Sequence, residues 1–259
     1  MPLTTPLAGK TIIVTRPLAQ AQKFLEQLEV NLATTVHFPV LSISAIENIS
    51  DAQRKFKNLQ HYQTVIFISA NAVHYAIDCL KELSLDFKDC TLAAVGPATK
   101  HALEHHGYDV NIVPQSGFNS EALLADPALT EVRDKNILII RGQGGREQLR
   151  ENLVSRGANV DYAEVYQRQA PSSRNPVHLN ELISENCAVL LYSTESAQNM
   201  WSLCTKQERQ WLTNVKFIVG SQRIAEAITR VGCINNSIIA ENTSDEAMLD
   251  ALVNYFKTP

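Results

Sequence analysis

Short apolar runs alternate along this chain with segments whose apolar residues recur at helical spacing. Val65-Ile66-Phe67-Ile68 and Val189-Leu190-Leu191-Tyr192 carry no polar interruption. Such runs mark strands buried on both faces of a parallel sheet. The pattern predicts strands at 11–15, 34–38, 64–68, 91–95, 109–113, 136–140, 187–192, 215–219 and 237–240. Between them it predicts helices at 18–30, 50–59, 71–83, 98–106, 119–125, 145–156, 196–204 and 222–230, and a last one from Ser244. Phe24, Leu25 and Leu28 line one face of the first helix, and Met248, Leu249, Leu252, Val253 and Phe256 one face of the last. Gly157 suits a left-handed helix end, and Thr243 with Glu246 suits a capping box. Strands and helices in regular alternation predict an α/β fold with parallel sheets.

The alternation is written twice. At a shift of 124 residues Ser69 falls on Ser193, Gly96 on Gly220 and Asn119-Ser120 on Thr243-Ser244. Three landmarks at one shift indicate two copies of one unit facing a shared cleft. The second copy stops after the helix that begins at Ser244. The strand, arginine turn and helix that complete the first copy at 136–156 have their counterparts at the other end of the chain, in Ile12–Val14, Arg16 and residues 18–30. The expectation is therefore a discontinuous domain, 1–38 with 172–259, around an inserted domain, 45–160. Segments 39–44 and 161–171 are the expected connecting strands, paired as a two-stranded β-ladder.

Lysine and arginine total 23 against 27 aspartates and glutamates, a net charge of −4, which argues against a nucleic-acid binder. The five cysteines are scattered, with no CxxC pair, as expected of reduced thiols in a cytoplasmic protein. No apolar leader and no run of membrane-spanning length is expected to act. The seven histidines form no metal-binding spacing, and no metal is expected. Arg141-Gly142-Gln143-Gly144-Gly145-Arg146 lacks the lysine and spacing of a phosphate loop, and no GxGxxG follows the first strand.

Ligands of parallel sheets bind beyond the carboxyl ends of the strands. Here those ends carry Arg16, Ser69, Asn71, Thr99, Arg141, Ser193 and Ser221, most of them at helix starts. A helix start offers free N–H groups and the positive end of a dipole, which suits anions. Arg16 and Arg141 occupy equivalent places and suit a bidentate carboxylate clamp. A serine, threonine or asparagine there is also an ordinary helix cap, and an arginine is also an ordinary surface ion pair. Tyr166 lies in the expected ladder. Its phenol is either a proton donor facing the cleft or an aromatic packed in a connector.

Read in order, Thr15-Arg16-Pro17, Phe67-Ile68-Ser69-Ala70-Asn71-Ala72-Val73, Val95-Gly96-Pro97-Ala98-Thr99, Val165-Tyr166 before Pro171, Lys216-Phe217 with Gly220, and Thr243-Ser244 resemble the uroporphyrinogen-III synthase family along essentially the whole chain. The resemblance implies two flavodoxin-like domains joined by a β-ladder, the amino-terminal segment completing the carboxyl-terminal domain. It also implies a cytoplasmic, monomeric enzyme without a cofactor. Its substrate would be hydroxymethylbilane, a linear tetrapyrrole received from hydroxymethylbilane synthase, with no nucleic acid or membrane as partner. Tyr166 matches the family tyrosine proposed to help expel the substrate hydroxyl, and Ser69, Thr99, Ser193 and Lys216 match positions that line the cleft. Where the family pattern in the second copy is Gly-Pro-x-Thr, this chain has Gly220-Ser221-Gln222-Arg223. The competing expectations are a non-catalytic two-lobed module for a small polyanion and a nucleotide- or flavin-dependent enzyme on the same fold.

Overall fold

The computed structural model describes residues 6–173, 175–233 and 237–257. The chain opens with β1 (Thr11–Val14), α1 (Leu18–Val30) and β2 (Thr34–His37). It continues through β3 (Ser42–Ala45), α2 (Ser50–Phe56), β4 (Thr64–Phe67), α3 (Ala70–Leu83), β5 (Thr91–Ala94), α4 (Pro97–His105), α5 (Ser120–Leu124), β6 (Asn136–Gly142), α6 (Gln148–Ser155) and β7 (Asn159–Gln169). It closes with β8 (Cys187–Leu191), α7 (Thr194–Leu203), α8 (Lys206–Leu212), β9 (Lys216–Val219), α9 (Gln222–Arg230), β10 (Ser237–Ile239) and α10 (Asp245–Lys257). Two compact units result. One is Met1–Ser42 with Gln169–Pro259, the other Ile43–Arg168.

The first unit holds a five-stranded sheet in the order β10-β9-β8-β1-β2, every pair parallel. Numbered within the unit this is the flavodoxin order. Alternate residues feed two cores. Ile13, Val189, Phe217 and Val219 pack on one face, and Ile12, Val14, Leu190 and Ile218 on the other. Both faces are covered, so these strands read as unbroken apolar runs. β1, from one end of the chain, is an interior strand of the sheet between β2 and β8.

The second unit has the order β3-β7-β6-β4-β5, with a further parallel bridge from Ala93 in β5 to Ile112. Set beside the first unit, β5, β4, β6 and β7 stand where β9, β8, β1 and β2 stand. The same arrangement is built from a chain that enters it at a different strand. Val65, Phe67, Leu138 and Ile140 pack on one face, and Ile66, Ile137 and Ile139 on the other. β3 lies beside β7, so the expected connector segments are members of this unit's sheet.

Gly157 has the left-handed conformation expected after α6, with φ +89°. The capping box expected at Thr243 and Glu246 is not formed. Ser244 Oγ accepts from the Ala247 N–H (3.3 Å) instead, and Asn242 Oδ1 accepts from the Ser244 N–H (2.7 Å). An asparagine two residues ahead turns the backbone and hands the cap to the next hydroxyl. A capping box does occur at Thr205 and Glu208, opening the unpredicted α8. The strand expected at 109–113 is reduced to the Ile112 bridge.

Candidate anion-binding edges of the two sheets

In each unit the helices that follow the strands begin at the carboxyl edge of the sheet. In the second unit Ser69 caps α3, its Oγ accepting from the Ala72 N–H at 3.1 Å. Asn71 is half-buried in the same first turn. Gly96 precedes α4 without a side-chain cap, and Pro97 supplies the first helical residue. In the first unit Ser193 caps α7 through the Ser196 N–H at 3.0 Å. Ser221 precedes α9 and makes no side-chain cap bond. The outermost N–H groups of such first turns have no partner within the helix.

Gly220 is required by close approach. A Cβ there would overlap Thr243 Cγ2 and lie 2.9 Å from the Thr243 nitrogen. Gly142 is required for the same reason, since a Cβ would lie 2.5 Å from the Tyr166 ring.

Four expected site residues are buried or stand away from the helix starts. Arg141 is 3% exposed. Its guanidinium donates to Glu147 Oε1 (3.0 Å) and to the carbonyls of Gly142 and Gly144, and it lies 4.3 Å from the centre of the Tyr162 ring. It braces the loop after β6 and leaves no fork for a ligand. Lys216 begins β9, pairing with Ala188 at the amino edge of the sheet. That is a strand's length, roughly 10 Å, from the edge that carries Ser193 and Ser221. Tyr166 has no exposed surface and belongs to the core that contains Phe67, Val73 and Ala76. Its ring stacks on Tyr75 with centroids 5.8 Å apart. It does not face solvent, so it does not meet a ligand directly in this arrangement. Thr99, too, is buried in the first turn of α4.

Arg16 reaches the edge of the first unit already engaged. Its Nη1 pairs with Asp245 at 2.6 Å, its Nη2 donates to the Thr243 carbonyl, and its guanidinium lies 3.6 Å from the Tyr192 ring centre. Among the described residues the buried Tyr192 hydroxyl has no hydrogen-bond partner. Burial pushes that phenol well above its ordinary range, against the pull of Arg16. In the second unit burial and donation to Glu147 push the Tyr162 phenol up to about 12. The same Tyr162 bond, with Arg141 behind it, holds the Glu147 carboxyl below the usual carboxylate range.

Two residues at the edge of the second unit were not among the expected ones. Arg168, exposed at the end of β7, donates from Nη2 to the Tyr166 hydroxyl at 3.2 Å. The period-two alternation of a strand, which places 166 and 168 on one face, is the signal that would have found it. Phe118 is 52% exposed, with φ +35°, and its Cβ lies 3.2 Å from where a Gly96 Cβ would stand. Among the described residues no cluster of metal-ligating side chains occurs, and no helix is long and apolar enough to cross a membrane.

The family described as uroporphyrinogen-III synthase HemD matches residues 22–250. The chain belongs to the uroporphyrinogen-III synthase family. It is 29% identical over 245 residues to the uroporphyrinogen-III synthase of Escherichia coli K12, covering 93% of this chain and 99% of that one. It is 33% identical over 160 residues to the Proteus mirabilis enzyme of the same name, covering 61% of this chain and 80% of the relative. The crystal structure of uroporphyrinogen-III synthetase from Helicobacter pylori shares its fold, with a TM-score of 0.63, 17% identity and coverage of 95% of this chain and 99% of the other. The predicted α/β class with two parallel-sheet domains is the fold observed.

Proposed function

We propose that this chain is a uroporphyrinogen-III synthase, a lyase that closes hydroxymethylbilane to uroporphyrinogen III with ring D inverted and water lost. The family match across residues 22–250 carries this reading. The geometry supports it through the helix starts at Ser69, Gly96, Ser193 and Ser221, which place N–H and hydroxyl donors on the carboxyl edges of both sheets. The substrate bears eight carboxylates, and donors at helix starts are suited to them.

Loss of the substrate hydroxyl as water leaves a cationic azafulvene. Left alone, the bilane then closes head to tail without inversion. To obtain the inverted product the protein must hold the chain so that ring D attacks through its substituted carbon. Catalysis of this kind is positioning, and its large effect comes from ordering groups before they react. The donors above fix the periphery while the reacting carbons are brought together. The cysteine thiols, none joined in a disulfide, suit a reducing cytoplasm. In our reading the enzyme acts as a monomer on bilane passed from hydroxymethylbilane synthase.

The test supplies hydroxymethylbilane from its synthase and resolves the product isomers after oxidation. Type III isomer formed in proportion to this protein is the expected result. Type I isomer alone, at the rate seen without the protein, would overturn the reading in favour of a binding module.

A further inference from the structure

Around the buried Tyr166 the donors and acceptors in reach favour one direction of hydrogen bonding. Arg168 is donor-only, so the Tyr166 oxygen accepts from it at 3.2 Å. The phenol proton is buried and needs an acceptor. Ser69 Oγ, at 3.2 Å, is the acceptor in reach among the described residues. Ser69 Oγ also accepts from the Ala72 N–H, at 3.1 Å. With both lone pairs engaged, the hydroxyl of Ser69 has its own proton left to give, and Ser69 is half-buried at the edge. Arg168, exposed, makes none of the ion pairs found among the described residues, whereas Arg16, Arg54 and Arg141 each hold a carboxylate of the protein. One phenol oxygen therefore anchors a free cation and, through its proton, aims a hydroxyl outward.

We propose that Arg168 and the Ser69 hydroxyl form one carboxylate-binding site at the edge of the second unit, and that Tyr166 positions both while its proton stays inside the protein. This rests on the synthase reading for the identity of the ligand, a peripheral carboxylate of the bilane. A carboxylate there takes the spare N–H groups of Arg168 and the Ser69 O–H without displacing any bond the protein makes to itself. Charge-assisted donors of this kind are the strong ones. Tyr166 is thereby a positioning residue and not the acid that expels the hydroxyl.

The experiment compares wild type, Arg168→Gln, Arg168→Lys, Ser69→Ala and Tyr166→Phe, with far-ultraviolet circular dichroism and thermal melts to confirm folding. Arg168→Gln is expected to raise KM for hydroxymethylbilane about tenfold, and to weaken binding of uroporphyrin III, an octacarboxylate probe, by a similar factor. Arg168→Lys restores part of both. Ser69→Ala raises KM less. Tyr166→Phe raises KM while kcat stays within about threefold of wild type, and the pH profile of kcat does not move. The inference is overturned if Arg168→Gln leaves KM and probe binding unchanged. It is equally overturned if Tyr166→Phe collapses kcat at unchanged KM, which would make the phenol the proton donor. Wild type that forms no type III isomer refutes the synthase reading itself, a result separate from either of these.

Discussion

The two units share the arrangement of four strands and carry a serine after the equivalent strands β4 and β8, yet they distribute their polar groups differently. In the first unit Ser193 and Arg16 are both engaged within the protein. Ser193 Oγ meets Ser196 Oγ at 2.8 Å, and Arg16 is paired with Asp245. In the second, Ser69 is backed by Tyr166, and Arg168 makes none of the ion pairs found among the described residues. The two arginines at equivalent turns also diverge. Arg16 lies at the edge over Tyr192, while Arg141 is sealed under the loop after β6. A duplicated scaffold therefore fixes where a donor can stand. Which donors are left over for a ligand depends on side chains that the repeat does not copy.

The largest expected contrast lies in the paired glycines. Gly220→Ala pushes a methyl into Thr243 and its backbone nitrogen, and overpacking of this kind costs about 2–3 kcal/mol. Gly96→Ala meets only Phe118, 3.2 Å away on an exposed loop, and should cost less than about 1 kcal/mol. Urea unfolding of the two variants measures both, and equal losses would show that the turns are not differently packed. Next in size are the arginines. Arg141→Met leaves Glu147 and two carbonyls without their donor, at about 2 kcal/mol. Arg16→Met removes a rim pair and a stacking contact, at about 1 kcal/mol or less. A larger loss from Arg16→Met would reverse the assignment of which arginine is structural.

The smallest effect concerns pH. Glu147 is held below its usual range by Tyr162 and Arg141. A depressed acid contributes stability that is full above its unfolded value, near pH ~4.3. That contribution is lost as pH falls through the folded value. The stability gap between wild type and Arg141→Met should therefore narrow between pH 7 and pH 3. A gap that stays constant on acidification would remove Glu147 from the brace.

Much of this was legible in the chain. Strands buried on both faces announce themselves as runs such as Val65-Ile66-Phe67, and the common shift of Ser69 and Gly96 exposed the circular relation between the copies. The helix caps at Ser69, Ser193 and Asn119 were readable because a capping hydroxyl or amide acts within three residues of itself. The site was less legible because its roles depend on partners far off in sequence. Nothing near Arg141 says that Tyr162 will lie under it. Nothing near Tyr166 says that Gly142 will open just enough room to bury it. Lys216 was placed by likeness, whereas its strand register puts it at the wrong end. Arg168 was missed because it stands out only by making none of the ion pairs among the described residues, and a sequence does not show which charges will pair.

The interior position of β1 has a consequence for how the protein is made. The second unit is one continuous stretch and can complete its sheet as soon as β7 leaves the ribosome. β1 and α1 emerge first but cannot be sandwiched until β8 follows. Their apolar faces therefore stay uncovered while the whole second unit is made, which gives a nascent-chain chaperone time to bind this segment.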